Sequence, residues 1–568
     1  MHPEDRSVVL YHPICCTCAE IAALLRTWRQ SKAGSLKLEA GSILPRASRI
    51  RQLNPIRMPA KFHSISLIGL DAVPIEVEAD ISRATLPKFK VVGLPDTAVR
   101  EAQDRVRAAI KNSGLPFPRA RITVNLAPAH IKKEGPMHDL AMALAIIAAV
   151  GPPPPANGKK RAFIGELALD GTVRPVSGVL PAVMAALERG FDEMFIPSGN
   201  ADEASLALGE NRPGAVIVPV RSLAQIYAHL VGLETLSPLD RAVVRHDDDT
   251  TIYPVDFSNV HGQEHAKRAL EIAAAGGHNI LMSGPPGSGK TMLARALPSI
   301  LPPMTREEML EVTKISSIAG TLDDRSRLVT ARPFRSPHHS ASGVALIGGG
   351  SWPRPGEVSL AHRGVLFLDE LPEFPRSVLE NLRQPLEEGF VTVSRAQCTL
   401  RFPAKFTLVA AQNPCPCGYL TDPTTDCTCG QAEIERYRRR ISGPLLDRID
   451  LHIEVPKVKP EELLGRKESE PSGRVRERVG AARERARKRL TEDGLFTNTE
   501  MGHREVKKHC GLDGESEQFL LAATERLSLS ARAVTRTLKV SRTIADLSGS
   551  DDIKKQHLAE ALQFRTRR

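Results

Sequence analysis

Hydrophobic and polar positions change period several times along the chain. Between about 60 and 230, runs at 62–68, 75–81 and Arg121–Ala127 read as strands, with Gly69-Leu-Asp71 a turn between the first two. Thr97–Asn112 instead places Val99, Ala102, Val106 and Ile110 at helical spacing, one apolar face. Asp139–Val150 reads as a buried helix, closed by Gly151 and four prolines. Residues 162–169 and 172–175 suggest a hairpin about Asp170-Gly171.

Beyond 255 the apolar runs shorten and become continuous, at 279–283, 365–368 and 406–411, as buried strands require. A polar stretch at 245–251, with three aspartates at 247–249, reads as a linker. The last hundred residues are helical, and 474–490 carries eight Lys/Arg against two Glu, a strongly basic helix. The expected organisation is an extension at 1–57, an N-terminal domain at 58–235, a linker at 236–254, an α/β core at 255–455 and a helical region at 456–568. The extension shows no sustained periodicity and reads as a disordered arm or as an artefact of start-codon choice, with Met58 the first residue.

At 568 residues, 41% hydrophobic and 25% charged, the composition excludes a mostly disordered protein, a collagen-like fibre and a small disulfide scaffold. The longest apolar run, 140–150, is 11 residues, whereas a bilayer-spanning helix needs roughly 20; no membrane crossing is expected. The net charge of +11 is uneven: 1–57 carries nine Lys/Arg against four Asp/Glu, and 456–568 carries 25 against 18. Basic ends attract polyanions such as DNA, or are simply solvated surface. Seven of the nine cysteines fall in two groups, at 15–18 and 415–429, with Cys398 and Cys510 single, rather than in spread pairs, and the N-terminus, with Glu4 and Asp5, does not read as a signal sequence. A reducing, cytoplasmic compartment is expected.

The chemistry concentrates in the third unit. Gly284-Pro285-Pro286-Gly287-Ser288-Gly289-Lys290-Thr291 fits G-x-x-x-x-G-K-[ST] at every fixed position, between an apolar run and a helical pattern. Its glycines let backbone N–H groups and a helix N-terminus face phosphate oxygens. Lys290 would bridge the β- and γ-phosphates of ATP, and Thr291 would ligate Mg²⁺. About 80 residues on, an apolar run ends in Asp369-Glu370: Asp369 is placed to hold Mg²⁺ through water, and Glu370 to polarise the attacking water. The run at 406–411 ends in Gln412-Asn413, where a polar side chain would orient that water. Arg448 is either a plain salt-bridge residue or an arginine finger for a neighbouring subunit.

Cys415, Cys417, Cys427 and Cys429 form C-x-C-x₉-C-x-C, four thiols that would surround one Zn²⁺ or else line a reduced loop. Residues 389–395 and 398–402 suggest a hairpin, on which Arg395 and Arg401 either touch a nucleic-acid backbone or are solvated.

These motifs together resemble the AAA+ ATPases of the helix-2-insert branch, which includes magnesium-chelatase ATPase subunits and MCM helicases. Ala331-Arg-Pro-Phe-Arg-Ser-Pro-His-His339, Pro355-Gly-Glu-Val-Ser-Leu-Ala-His362 and Asn413-Pro-Cys-Pro-Cys-Gly418 narrow the resemblance to the ComM/YifB family of magnesium-chelatase-like proteins, over essentially 58–568. It implies a P-loop AAA+ fold: a doubly wound parallel α/β sheet with a C-terminal helical lid. Asn413 would be sensor 1, Arg448 the trans finger, Arg532 the sensor-2 arginine, and Val260-His-Gly-Gln263 the adenine side. It further implies a hexameric ring acting on DNA as a branch-migration helicase. A nucleotide-switched scaffold and a chelatase motor are the alternatives. The N-terminal domain resembles the α+β Lon protease fold, but Met137 stands where the nucleophilic serine would follow Gly-Pro. A thioether cannot be deprotonated to attack a carbonyl, so a scaffold rather than a peptidase is expected.

Overall fold

Alternation places Ile75, Val77 and Ala79 of the second strand in the core. The first two strands, Ala60–Ile68 and Asp71–Ser82, pair antiparallel with Ile68 opposite Asp71, so residues 69 and 70 form the turn. In this computed structural model the described residues are 60–565 except 134, 152–157, 209–213, 240–252, 323–327, 351–352, 396–397 and 459–468. All of them fall within one unit, Met58–Arg568. The extension at 1–57 and the polar linker at 245–251 lie outside the described residues.

The sheet continues through Arg121–Ala127, antiparallel to the second strand, to Lys88–Val92, parallel to the third. Lys88–Val92 gives little sequence signal because Lys88 and Lys90 interrupt its apolar run. Thr97–Asn112 is a helix with the expected buried face, and Asp96 caps it by accepting a 2.7 Å hydrogen bond from Val99 N. Asp139–Val150 is buried along ten of its twelve residues; each enclosed Leu or Ile contributes ~1.5–3 kcal/mol.

The hairpin expected across 162–175 is shorter than the pattern suggests. Only 166–167 and 173–174 pair antiparallel. Arg161–Phe163 joins a separate parallel sheet with Glu193–Pro197 and Val216–Val220. The reason is packing: Phe163 stacks on Phe195 with centroids 4.9 Å apart, and Ile164 N donates to Phe195 O.

The nucleotide-site domain is built on five parallel strands in spatial order Phe334–Arg335, Val365–Leu368, Thr407–Gln412, Ile280–Ser283, Leu451–Glu454. The first strand in sequence, Ile280–Ser283, lies between the fourth and fifth, so the sheet reverses order around it. Ligands in open α/β sheets bind outside the carboxyl ends of strands at such a switch point. Helices Glu264–Gly276 and Lys290–Ile300 cover the sheet, and Ser472–Leu490 and Ala531–Leu547 pack beyond them.

The expected hairpin forms as Phe390–Arg395 against Cys398–Pro403. Its Leu400 packs on the turn at Gly69, and Ile68 and Leu70 join the same apolar cluster. The N-terminal domain thus rests on this hairpin.

Candidate nucleotide site

Ile280–Ser283 delivers the chain to the loop 284–289, and the following helix begins at Lys290. The glycines answer specific demands. A Cβ on Gly284 would lie 2.1 Å from the Val455 carbonyl oxygen, and Gly287 and Gly289 hold φ of +76° and +88°. Lys290 folds back into the loop. Its Nζ donates to Gly284 O at 2.7 Å and Pro285 O at 2.9 Å, and lies 3.3 Å from Asn413 Oδ1. Burial pulls this ammonium below its usual pKa, against the opposing charges of Asp369 and Glu370. Lys290 and Asn413 therefore meet, as the pairing of strands Ile280–Ser283 and Thr407–Gln412 allows.

Thr291 Oγ1 lies 2.9 Å from Asp369 Oδ2. A hydroxyl beside a carboxylate is a hard-oxygen donor pair, the kind that suits Mg²⁺. Asp369 Oδ1 also accepts from Glu370 N at 3.0 Å. Glu370 is left-handed, with φ +51° and ψ +48°. This conformation is costly for a non-glycine residue and clusters at functional sites. Its side chain, 52% exposed, lies 3.5 Å from His339 Nδ1. His339 in turn packs against the His338 ring and the edge of Phe374. Sequence reasoning quoted His339 only as part of a motif; its closeness to the Glu370 carboxylate depends on the loop after the two-residue strand Phe334–Arg335.

Gln263 stands beside the loop, its Nε2 3.5 Å from Ser288 O and 2.5 Å from Pro456 O. Arg448 has only 9% of its surface exposed and is engaged within its own chain, donating to Pro444 O and to Glu387. Arg532 is exposed in the first turn of helix Ala531–Leu547, and among the described residues it makes no hydrogen bond or ion pair. It is Arg536, one turn on, that pairs with Asp450 at 3.2 Å.

A buried network missed by sequence reasoning surrounds the root of the P-loop strand. Asn279 donates to Arg448 O and accepts from Leu408 N, tying three neighbouring strand regions together. His278 lies 3.4 Å from Asp450 and 2.8 Å from Thr543 Oγ1 on helix Ala531–Leu547. Burial works against ionisation of Asp450, but His278 and the Arg536 charge hold its carboxyl well below the usual range. Arg542 and Asp546 serve the same joint: Asp546 binds Arg489 and Asn498, while Arg542 donates to Ser550 O and Asp551 O. The only signal available was the motif Arg542-Thr-Ile-Ala-Asp546.

The other motifs clasp one another. Arg335 is bidentate to Glu357 at 2.6 and 2.7 Å, and His362 meets Glu311 at 3.1 Å. The basic helix is likewise partly structural. Within Ser472–Leu490, Arg476, Arg478, Arg483, Arg485 and Arg489 all hydrogen-bond to the protein itself. Much of this charge is committed to contacts within the chain rather than displayed to a polyanion.

On the hairpin, Arg401 lies over the Phe390 ring, 4.4 Å from its centroid. The Arg395 side chain lies outside the described residues. Cys415, Cys417, Cys427 and Cys429 converge, their sulfurs all within 4.8 Å of one another. Among the described residues, no helix is long and apolar enough to cross a membrane.

Family descriptions match most of the chain. Residues 256–463 match the family described as "Magnesium chelatase, subunit ChlI", 77–200 match "Subunit ChlI of Mg-chelatase", and 469–565 match "Magnesium chelatase, subunit ChlI C-terminal". The chain is 45% identical over 506 residues to "Competence protein ComM" of Haemophilus influenzae, covering 89% of this chain and 96% of the relative. It is 44% identical over 510 residues to "Uncharacterized protein YifB" of Escherichia coli, again 89% and 96%. A "Magnesium-chelatase 38 kDa subunit" of Cereibacter sphaeroides is 30% identical over 179 residues, 28% of this chain and 53% of that protein.

Proposed function

The chain belongs to the ComM/YifB family of magnesium-chelatase-like AAA+ proteins, and from that premise we propose that it is an ATP-hydrolysing motor that moves DNA. The observation that carries this is the convergence of Lys290, Thr291, Asp369 and Asn413 at one end of the parallel sheet, with Glu370 next in the chain.

In this reading the 284–289 backbone binds the phosphates of ATP and Lys290 aligns the β- and γ-groups. Asn413 and Glu370 orient and deprotonate the attacking water. Thr291 and Asp369 would hold Mg²⁺, which neutralises phosphate charge when bound. Arg448 completes a neighbour's site across a hexameric ring, for which it must leave Glu387. Arg532, free on the lid, reads the γ-phosphate from the other side.

The DNA assignment draws on the relative named as a competence protein and on the exposed Arg401. Branch migration during recombination of incoming DNA is the specific activity proposed. The N-terminal domain, read as Lon-like, serves as a scaffold: Met137 is buried where a nucleophile would stand. A second reading, a nucleotide-switched scaffold, draws on the engagement of Arg448 by Glu387 in its own chain.

The discriminating experiment measures ATP turnover with and without forked or three-stranded DNA, for wild type, Lys290→Ala and Glu370→Gln. The motor reading expects DNA-stimulated turnover and strand movement, both lost in the variants. Unstimulated turnover with no strand movement favours the scaffold. Normal turnover by Lys290→Ala overturns the site assignment.

A further inference from the structure

The sensor strand ends at Gln412, with Asn413 the next residue, and the next helix begins at Gln431. The 18 residues between form neither helix nor strand. Of them, only Pro414, Cys415 and Gly418 are buried. Loops this long inside a compact domain are uncommon, and apolar packing does not hold this one. Yet it lies at the most exacting place in the molecule. A Cβ on Gly418 would come within 2.7 Å of Pro286 Cδ in the P-loop, and φ at Gly418 is +88°. Cys415 is two residues beyond Asn413, whose Oδ1 lies beside Lys290 Nζ.

What the loop does gather is sulfur. Sγ of Cys415 lies 3.3 Å from that of Cys417 and 3.7 Å from that of Cys427, and Cys417 Sγ lies 3.6 Å from Cys427 Sγ. Cys429 closes the group by accepting from Cys417 N at 3.3 Å. These separations are far longer than a disulfide bond, about 2.05 Å, and all four cysteines are free. In a tetrahedral tetrathiolate site, Zn–S bonds of about 2.3 Å put the sulfurs about 3.8 Å apart. The loop therefore holds its thiols near the spacing of a closed structural zinc site. The donor set contains no carboxylate or imidazole, which selects a soft or borderline metal over Mg²⁺ or Ca²⁺.

We propose that Cys415, Cys417, Cys427 and Cys429 bind one Zn²⁺, and that this ion clamps the 413–430 loop against the P-loop so that metal occupancy sets nucleotide affinity. The second half of this inference rests on the nucleotide reading above; the first does not. Zinc supplies the cross-link that the apolar content of the loop cannot. The far side is fixed independently by the ion pair of Asp422 with Lys457, just after the last strand of the sheet. Losing the metal would free Gly418 from Pro286 and let Asn413 drift from Lys290, so the ATP site would loosen without losing any of its own residues.

The test begins with the zinc content of the full chain purified without added metal or chelator. About one zinc per chain is expected, abolished in Cys417→Ser/Cys427→Ser and retained in Lys290→Ala. Cobalt exchanged into the wild-type chain should show thiolate charge-transfer and intense tetrahedral bands, a readout that does not depend on the variant folding. A folded wild-type chain that holds no metal and in which Cys415, Cys417, Cys427 and Cys429 are all open to alkylation overturns the site. Binding of a fluorescent ATP analogue in excess Mg²⁺ then tests the coupling. Stripping zinc should weaken it at least tenfold, and zinc added back should restore it. Unchanged affinity after zinc removal overturns the coupling while the metal site stands. Unchanged affinity in Lys290→Ala overturns the nucleotide reading and leaves the zinc measurement untouched.

Discussion

Thr291 Oγ1 donates a 2.9 Å hydrogen bond to Asp369 Oδ2, joining the first turn of the P-loop helix to the tip of the carboxylate strand. Both oxygens are candidate Mg²⁺ partners, the carboxylate through water. Removing the hydroxyl should therefore raise the Mg²⁺ concentration needed for half-maximal turnover at least tenfold. Thr291→Ala is expected to show this rise and Thr291→Ser, which keeps the oxygen, is expected to escape it. A magnesium titration of steady-state ATP hydrolysis checks both, and equal requirements in wild type and Thr291→Ala would remove the metal-holding role.

Arg448 donates to Glu387 within its own chain, a contact that the proposed role at a neighbour's site requires it to break. If the guanidinium acts on a neighbour, Arg448→Ala should lose roughly 10³-fold or more in turnover while its own nucleotide affinity stays near wild type. The trans assignment has a sharper check. Lys290→Ala and Arg448→Ala chains, each inactive alone, should recover partial turnover when mixed, because some interfaces then pair an intact P-loop with an intact arginine. Recovery that never rises above the sum of the separate chains would place Arg448 in a structural role.

The parts of this site that the sequence revealed are those whose chemistry is contiguous. The P-loop from Gly284 to Thr291 and the pair Asp369-Glu370 sit on uninterrupted apolar strands, so local pattern and chemistry coincide. Helix Asp139–Val150 was legible for the same reason: its burial on all sides is written in one segment. What stayed hidden is made by distant pairs. His278 touches Thr543, 265 residues away, and Asn279 binds the backbone at Arg448, 169 residues away; no local period encodes either. The hairpin at 162–175 is shorter than its pattern because Phe163 stacks on Phe195 and its strand pairs with Glu193–Pro197 instead.

Glu370 is left-handed and points toward His339, 3.5 Å distant. A histidine that positions the base without touching ATP should act on rate rather than binding. His339→Ala is expected to lower kcat about 10-fold or more, with KM for ATP within about twofold. Glu370→Gln should go further, abolishing turnover with nucleotide affinity intact. Because the imidazole would act through the carboxylate, His339→Ala in the Glu370→Gln background should add nothing. A further drop in the double variant's residual rate would show that His339 works independently.

His138 and Ser64 are both fully buried in the N-terminal domain, with Nδ1 and Oγ 2.9 Å apart. His138 Nε2 has no hydrogen-bond partner among the described residues, so only a neutral ring fits. Burial, aided by the Lys133 charge, pushes its pKa down to about 4. An unfolded histidine takes up its proton near 6.5. Between those values the unfolded state binds more protons than the folded one, so stability is full above about 6.5 and falls as pH drops towards 4. The slope is about 1.4 kcal/mol per pH unit, or about 2 kcal/mol between pH 6.5 and 5. Hydrogen exchange of the Asp139–Val150 amides, corrected for intrinsic rates, reads this opening locally. Wild type should lose about 2 kcal/mol more protection than His138→Gln over that interval. Equal losses in the two proteins would mean that the ring is charged, or accessible, in the folded domain.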